Sequence, residues 1–172
     1  IRPPHAFALV PAVLCLLVLV LATRVRLDTP FGFTVATQLA FVPLLFAVPA
    51  ALVPIAVVMA LVIARLPDVI AGRARPSRLL LQVGNSWFVI GPVAVFVLAD
   101  TPPAHAGIPL LIAALVAQFL VDFFVSAVRF WSDRAASLSM QLRETWVYGI
   151  DAALSGVALV VAQGIHSHPA VA

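Results

Sequence analysis

Apolar residues gather along this chain into long runs, and the charged residues fall almost entirely in the gaps between them. A helix that crosses a bilayer needs roughly 20 apolar residues, with about 17–25 tolerated. Runs at 6–22, 84–99, 108–131 and 147–165 are candidates. The stretch 35–64 is too long for one ordinary span and contains Pro43, Pro49 and Pro54. Proline removes a backbone donor and clashes with the preceding turn, so helices break or kink there. The pattern predicts a tight pair of helices, 35–48 and 50–65, turning at Pro49, with a short first arm. The alternative is a single long kinked helix, which makes five spans instead of six.

Composition agrees with that reading. Hydrophobic residues make up 63% of the 172, charged residues only 10%, and the mean hydropathy is +1.14. Soluble chains run at about 45–50% apolar and about 25% charged, because one core in water needs a polar surface. The fold class predicted is all-α: a polytopic transmembrane helical bundle of about six spans, its second helix short and broken by proline. By length, 1–172 is one integral membrane domain. The chain begins at Ile1 and stops just after His168-Pro169, which suggests a piece of a longer protein. A signal peptide is a poor reading of 6–22, since its apolar core is too long and no small-residue cleavage site precedes Arg24 and Arg26. All ten basic residues other than histidine are arginine, a bias that goes with a high-GC bacterial gene.

Arginine placement orients the spans, because cytoplasmic loops are enriched in basic residues. One intervening segment holds Arg65, Arg73, Arg75 and Arg78, and another holds Arg129, Arg134 and Arg143. Two spans separate them, so both lie on one side, predicted to be the cytoplasm of a bacterial plasma membrane. Loops 65–83 and 129–146 are then internal, and 100–107, which has no basic residue but His105, is external. With a helix pair at 35–65, Arg24 and Arg26 also fall inside; with one helix they fall outside. Pro76 and Ser77 are placed to open a short helix leading into the next span, either along the anionic leaflet or as part of a solvated loop. Residues 133–144 are good helix formers that would extend the 108–131 span. Trp87, Trp131, Trp146 and Tyr148 lie near predicted span ends, where aromatic residues anchor at the headgroups.

Ionisable groups inside spans are costly, about 2.5–3.5 kcal/mol at the centre on insertion scales, so each needs a reason. Gln118, Asp122, Ser126 and Arg129 recur on one helical face, and that stripe must point into the bundle or a wet cavity. It reads either as a proton-sensitive or ligand-contacting site, or as an interhelical hydrogen bond that fixes packing. Asp151 opens the last span and has Arg143, Arg129 or Asp122 as possible partners. Facing carboxylates in low dielectric oppose each other's ionisation, which makes a proton-sensing pair. Asn85 and Ser86 could bond across helices or touch a ligand, while Gly149, Ser155 and Gly156 offer close helix approach. Gln118, Asp122, Ser126, Asp151 and Asn85 are therefore the candidates for ligand or proton sensing.

Other chemistry finds little support. Cys15 is alone, inside the first run, and reads as a small hydrophobe. His166-Ser167-His168 has no acidic or cysteine neighbour, so no metal site is assigned, and no cofactor is implied. There is no GxSxG, HExxH, P-loop or dinucleotide glycine pattern, so no catalytic residue is named and the chain is read as non-enzymatic. A net charge of +3, scattered, excludes a nucleic-acid face. The partners expected are the lipid bilayer, a small molecule within the bundle, and a second copy through the full-length protein.

Several segments, taken in order, carry a resemblance: Thr29-Pro30-Phe31-Gly32, then Gln38 through Pro43, Gly84-Asn85-Ser86-Trp87-Phe88, Ala117 through Asp122, and Gly149 through Leu154. Together they resemble the N-terminal membrane region of actinobacterial signalling proteins that carry HD-GYP phosphodiesterase or GGDEF cyclase domains. The resemblance implies a sensory or anchoring module ahead of a cytoplasmic cyclic-di-GMP enzyme, whose own motifs this chain lacks. The alternative expectation is a small permease or the substrate-binding membrane subunit of a transporter.

Overall fold

Uninterrupted apolar runs bounded by Pro, Gly and Arg fold into helices because lipid leaves the backbone no other hydrogen-bond partner. The computed structural model describes residues 9–29, 32–35, 37–133 and 146–167. Its helices are α1 (Leu9–Ala22), α2 (Thr37–Ala47), α3 (Val53–Ile70), α4 (Ser77–Asn85), α5 (Ile90–Leu98), α6 (Ile108–Asp133) and α7 (Trp146–Ser167). The protein is an all-α membrane bundle with one small exception. Between α1 and α2, strands β1 (Arg26–Thr29) and β2 (Gly32–Val35) pair antiparallel, Arg26 opposite Val35 and Thr29 opposite Gly32. The run pattern does not announce this hairpin, because four-residue strands are too short for a period-two signal.

Three stretches are long and apolar enough to cross a membrane: Ala50–Ile70, Ser77–Leu98 and Ile108–Val128. The first has 21 residues, about 31 Å at 1.5 Å per residue, against a hydrocarbon core of about 30 Å. Leu9–Ala22, Thr37–Ala47 and Gly149–Ala162 are shorter apolar helices. Their outer faces are oily. On α6 Ile112, Val116, Leu120, Phe124 and Val128 are exposed at every fourth position. Ala114 and Gln118, on the opposite face, are buried. A soluble protein would reverse that arrangement; lipid requires it.

The stretch 35–64 holds two helices, although Val35 belongs to β2 and the first arm is described from Thr37. α2 ends at Ala47, Pro49 is extended at ψ 132°, and one 3-10 turn, Ala50–Leu52, leads into α3. α2 is the centre of the bundle. Ala40, Phe41, Leu44 and Leu45 are buried, and the helix packs against α1 and α7. Phe41 meets Phe88 edge to face, with centroids 5.3 Å apart. α1 and α3 run in the same direction, which the contact between their C-terminal ends proves: the Arg24 guanidinium donates to the Ala64 carbonyl and lies 3.6 Å from the Asp68 carboxylate.

Two boundaries differ from expectation. α3 does not stop at 65 but continues through Pro67 to Ile70. Pro67 cannot donate to the Ile63 carbonyl, and Arg24 supplies a donor one residue along, at Ala64. α3 then closes in a Schellman cap: Gly72, at φ +70°, bonds Val69, and Arg73 bonds Asp68. Secondly, the helix opened at Pro76-Ser77 does not end before a span at 84. It passes through a 3-10 turn, Trp87–Val89, into α5, so the apolar crossing begins at Ser77. Trp87 consequently lies midway along that stretch rather than near its end. The Ser86 hydroxyl donates to the Val83 carbonyl at 2.7 Å, the kind of local bond that loosens a helix at such a step.

Small residues set the spacing at two crossings. A Cβ on Gly91 would fall 2.5 Å from the Ala117 carbonyl carbon and 2.7 Å from the Gln118 nitrogen, so α5 lies directly on the α6 backbone. On α7, Ser155, Ala158 and Ala162 are buried, and α7 packs on α2. Gly149 and Gly156, expected to serve that purpose, face open space instead. The glycine that sets a crossing is Gly91, whose place in an apolar run gives it no distinguishing spacing.

Candidate intramembrane polar cavity

Polar side chains inside the bundle come from helices far apart in sequence. Gln38 sits in the first turn of α2, Gln118 and Asp122 are one turn apart on α6, and Asp151 and Ser155 are one turn apart on α7. Spacing of four residues puts each pair on one helix face, and packing of α7 on α2 brings the α7 face to Gln38. Gln38 and Gln118 are each only 4% exposed. The Ser155 hydroxyl donates to Gln38 Oε1 at 3.4 Å, a link between α7 and α2. Among the described residues, every fully buried side-chain nitrogen or oxygen has a hydrogen-bond partner, as a dry interior demands.

Beside them lies a half-open hollow of about 130 Å³ lined by Thr37, Gln38, Phe88, Gln118, Phe119, Asp122 and Asp151. Asp122 and Asp151 therefore do share one space. Three of the sequence candidates, Gln118, Asp122 and Asp151, come together there, and two do not. Ser126 lies a turn beyond the cavity on α6, half-buried. Asn85 lies at the end of α4, away from the cavity lining, and its amide donates to Gln82 Oε1 at 3.4 Å, a bond local to its own helix. Sequence reasoning missed Thr37, Gln38, Phe88 and Phe119. Gln38 carried a signal, being a polar residue near the start of an otherwise apolar run; the phenylalanines carried none.

The cavity mixes carboxylates, side-chain amides, a hydroxyl and two aromatic rings. Among the described residues no three or more His, Cys, Asp and Glu side chains converge. Oxygen-rich, sulfur-free surroundings suit a proton or a hard cation better than a transition metal. The 3-10 turn that interrupts the Ser77–Leu98 stretch delivers Phe88 to the cavity wall.

The arginines expected to set the topology divide. Arg65 and Arg73 gather with Arg24 about Asp68 at the end of α3; Arg75 and Arg78 follow, one just before α4 and one in its first turn. Arg129 is on α6, and Arg134 and Arg143 lie outside the described residues, as does His168. No family model, curated protein or solved structure matches this chain.

Proposed function

We propose that this chain is a membrane-embedded sensing and anchoring module whose responsive site is the cavity between α2, α6 and α7. The observation that carries the reading is the convergence of the half-buried Asp122 and Asp151 on one small, half-open hollow between apolar helices. Two carboxylates lining one hollow oppose each other's ionisation unless a proton or cation intervenes. Occupancy of the cavity then shifts the balance between α6 and α7, and α2 follows through Ser155 and Gln38. The loops at 65–83 and 129–146 are cytoplasmic and 100–107 external in this proposal, on the arginine asymmetry. The output is a cytoplasmic cyclic-dinucleotide phosphodiesterase or cyclase, as the resemblance implies, and a homodimer through the full-length protein would transmit the change.

A second reading is a small permease or substrate-binding transporter subunit. The interrupted helix beside the cavity favours it, since broken helices flank midplane sites in transporters. One experiment separates the two. The full-length protein in sealed vesicles is followed for cyclic-dinucleotide turnover and for cation or proton flux, across a pH range, with and without Asp122→Asn. The sensing reading expects turnover that responds to pH or cation in the wild type and is locked in the variant, without flux. Flux that Asp122→Asn abolishes establishes the transporter instead. A response of turnover unchanged by Asp122→Asn removes the sensing role and leaves Asp122 a packing residue.

A further inference from the structure

We infer that the arginine cluster at the joint end of α1 and α3 is a binding site for the headgroup of an anionic phospholipid. A single carboxylate, Asp68, is shared by three guanidiniums: Arg73 at 3.1 Å, Arg24 at 3.6 Å and Arg65 at 3.9 Å. Those side chains stay 65%, 45% and 53% exposed, so each keeps donors facing outward. Arg75 and Arg78 add two more positive charges where α4 begins, and α4 packs on α3. Among the described side chains, five arginines therefore stand against one acid around the end of α3 and the start of α4. Guanidinium is the side chain that grips phosphate oxygens two at a time.

Depth decides the source of the phosphate. Asp68 and Arg65 belong to the last turns of the Ala50–Ile70 crossing, a helix about as long as the hydrocarbon core is thick. That places the cluster at the level of lipid headgroups. Val25, Leu66, Ile70, Leu80 and Leu81 are exposed around it, apolar surface that acyl chains cover and a free anion would not. The Schellman cap at Gly72 holds Arg73 against Asp68 through its backbone bond as well as its side chain, so the guanidiniums are presented by fixed backbone.

The test uses the protein in nanodiscs made from an equimolar mixture of phosphatidylglycerol and phosphatidylcholine, with retained lipids counted by native mass spectrometry. The wild type should retain phosphatidylglycerol in preference to phosphatidylcholine. Arg24→Gln with Arg73→Gln should reduce that preference by about fivefold for each arginine removed. Because those two also tie α1 to α3, Arg75→Gln with Arg78→Gln, outside the Asp68 knot, is the second pair; it should reduce the preference equally while leaving the fold intact. Equal retention of both lipids by the wild type, or full preference in the Arg75/Arg78 variant, overturns the site. Loss of the preference on adding millimolar inorganic phosphate at constant ionic strength overturns the lipid assignment too, by showing that the site favours a free anion over the headgroup.

Discussion

Gly91→Ala tests the packing that positions the cavity. The added methyl would stand 2.5 Å from the Ala117 carbonyl carbon and 2.7 Å from the Gln118 nitrogen, where carbon contacts settle at about 3.5–4.0 Å. α5 and α6 must part by about 1 Å to restore that spacing, and the atoms in the way are backbone, which cannot rotate aside. Overpacking of this kind costs about 1–3 kcal/mol. The residue displaced, Gln118, is one wall of the cavity, so stability and site should fail together. Gly149→Ala and Gly156→Ala are the controls, since a Cβ there meets nothing within 4 Å; replacing an open helical glycine gains roughly 0.5–1 kcal/mol. Reversible unfolding in mixed micelles of increasing SDS fraction measures all three. The same substitution should destabilise at 91 and stabilise at 149 and 156. A Gly91→Ala protein as stable as the wild type would refute the close crossing.

α5 closes like α3, with Thr101 bonded to Phe96 and Asp100 to Val97, but here Asp100 takes the left-handed position at φ 46°. Asp100→Gly should raise stability by up to about 1 kcal/mol, whereas Gly72→Ala should lower it by about 1–2 kcal/mol, both read from the same unfolding curves. On a Cys15→Ser background, Val25→Cys and Arg75→Cys should react with an impermeant maleimide from one face of the membrane and His105→Cys from the other. Labelling of Val25→Cys and Arg75→Cys from opposite faces would contradict the Arg24–Asp68 ion pair.

Much of the fold was legible because lipid imposes one rule on every residue: apolar runs become helices, and proline or arginine ends them. Pro49 marks the break between α2 and α3, and Pro76-Ser77 marks the start of α4. The rule misleads at Pro67, where the helix continues with an arginine from the turn after α1 donating alongside, a tertiary event that local spacing does not encode. It misleads again at Trp87, because α4 and α5 join through a 3-10 turn instead of meeting at a headgroup boundary. Half the cavity is visible in advance, since Gln118, Asp122 and Asp151 are conspicuous among oily neighbours. Gln38 and Phe88 require knowing that α7 packs on α2 and that the 3-10 turn faces inward. Glycines mislead for the same reason: spacing alone cannot tell Gly91, pressed on a backbone, from Gly156, which meets open space.

If Asp122 and Asp151 act as one responsive site, their carboxyl groups must report on each other, and infrared difference spectroscopy of the reconstituted protein on changing pH or cation reads them directly. A carboxyl band should change with the stimulus and be altered by Asp122→Asn and by Asp151→Asn alike, because the two groups share one cavity. A band insensitive to both substitutions, or altered by only one of them, would contradict a shared site.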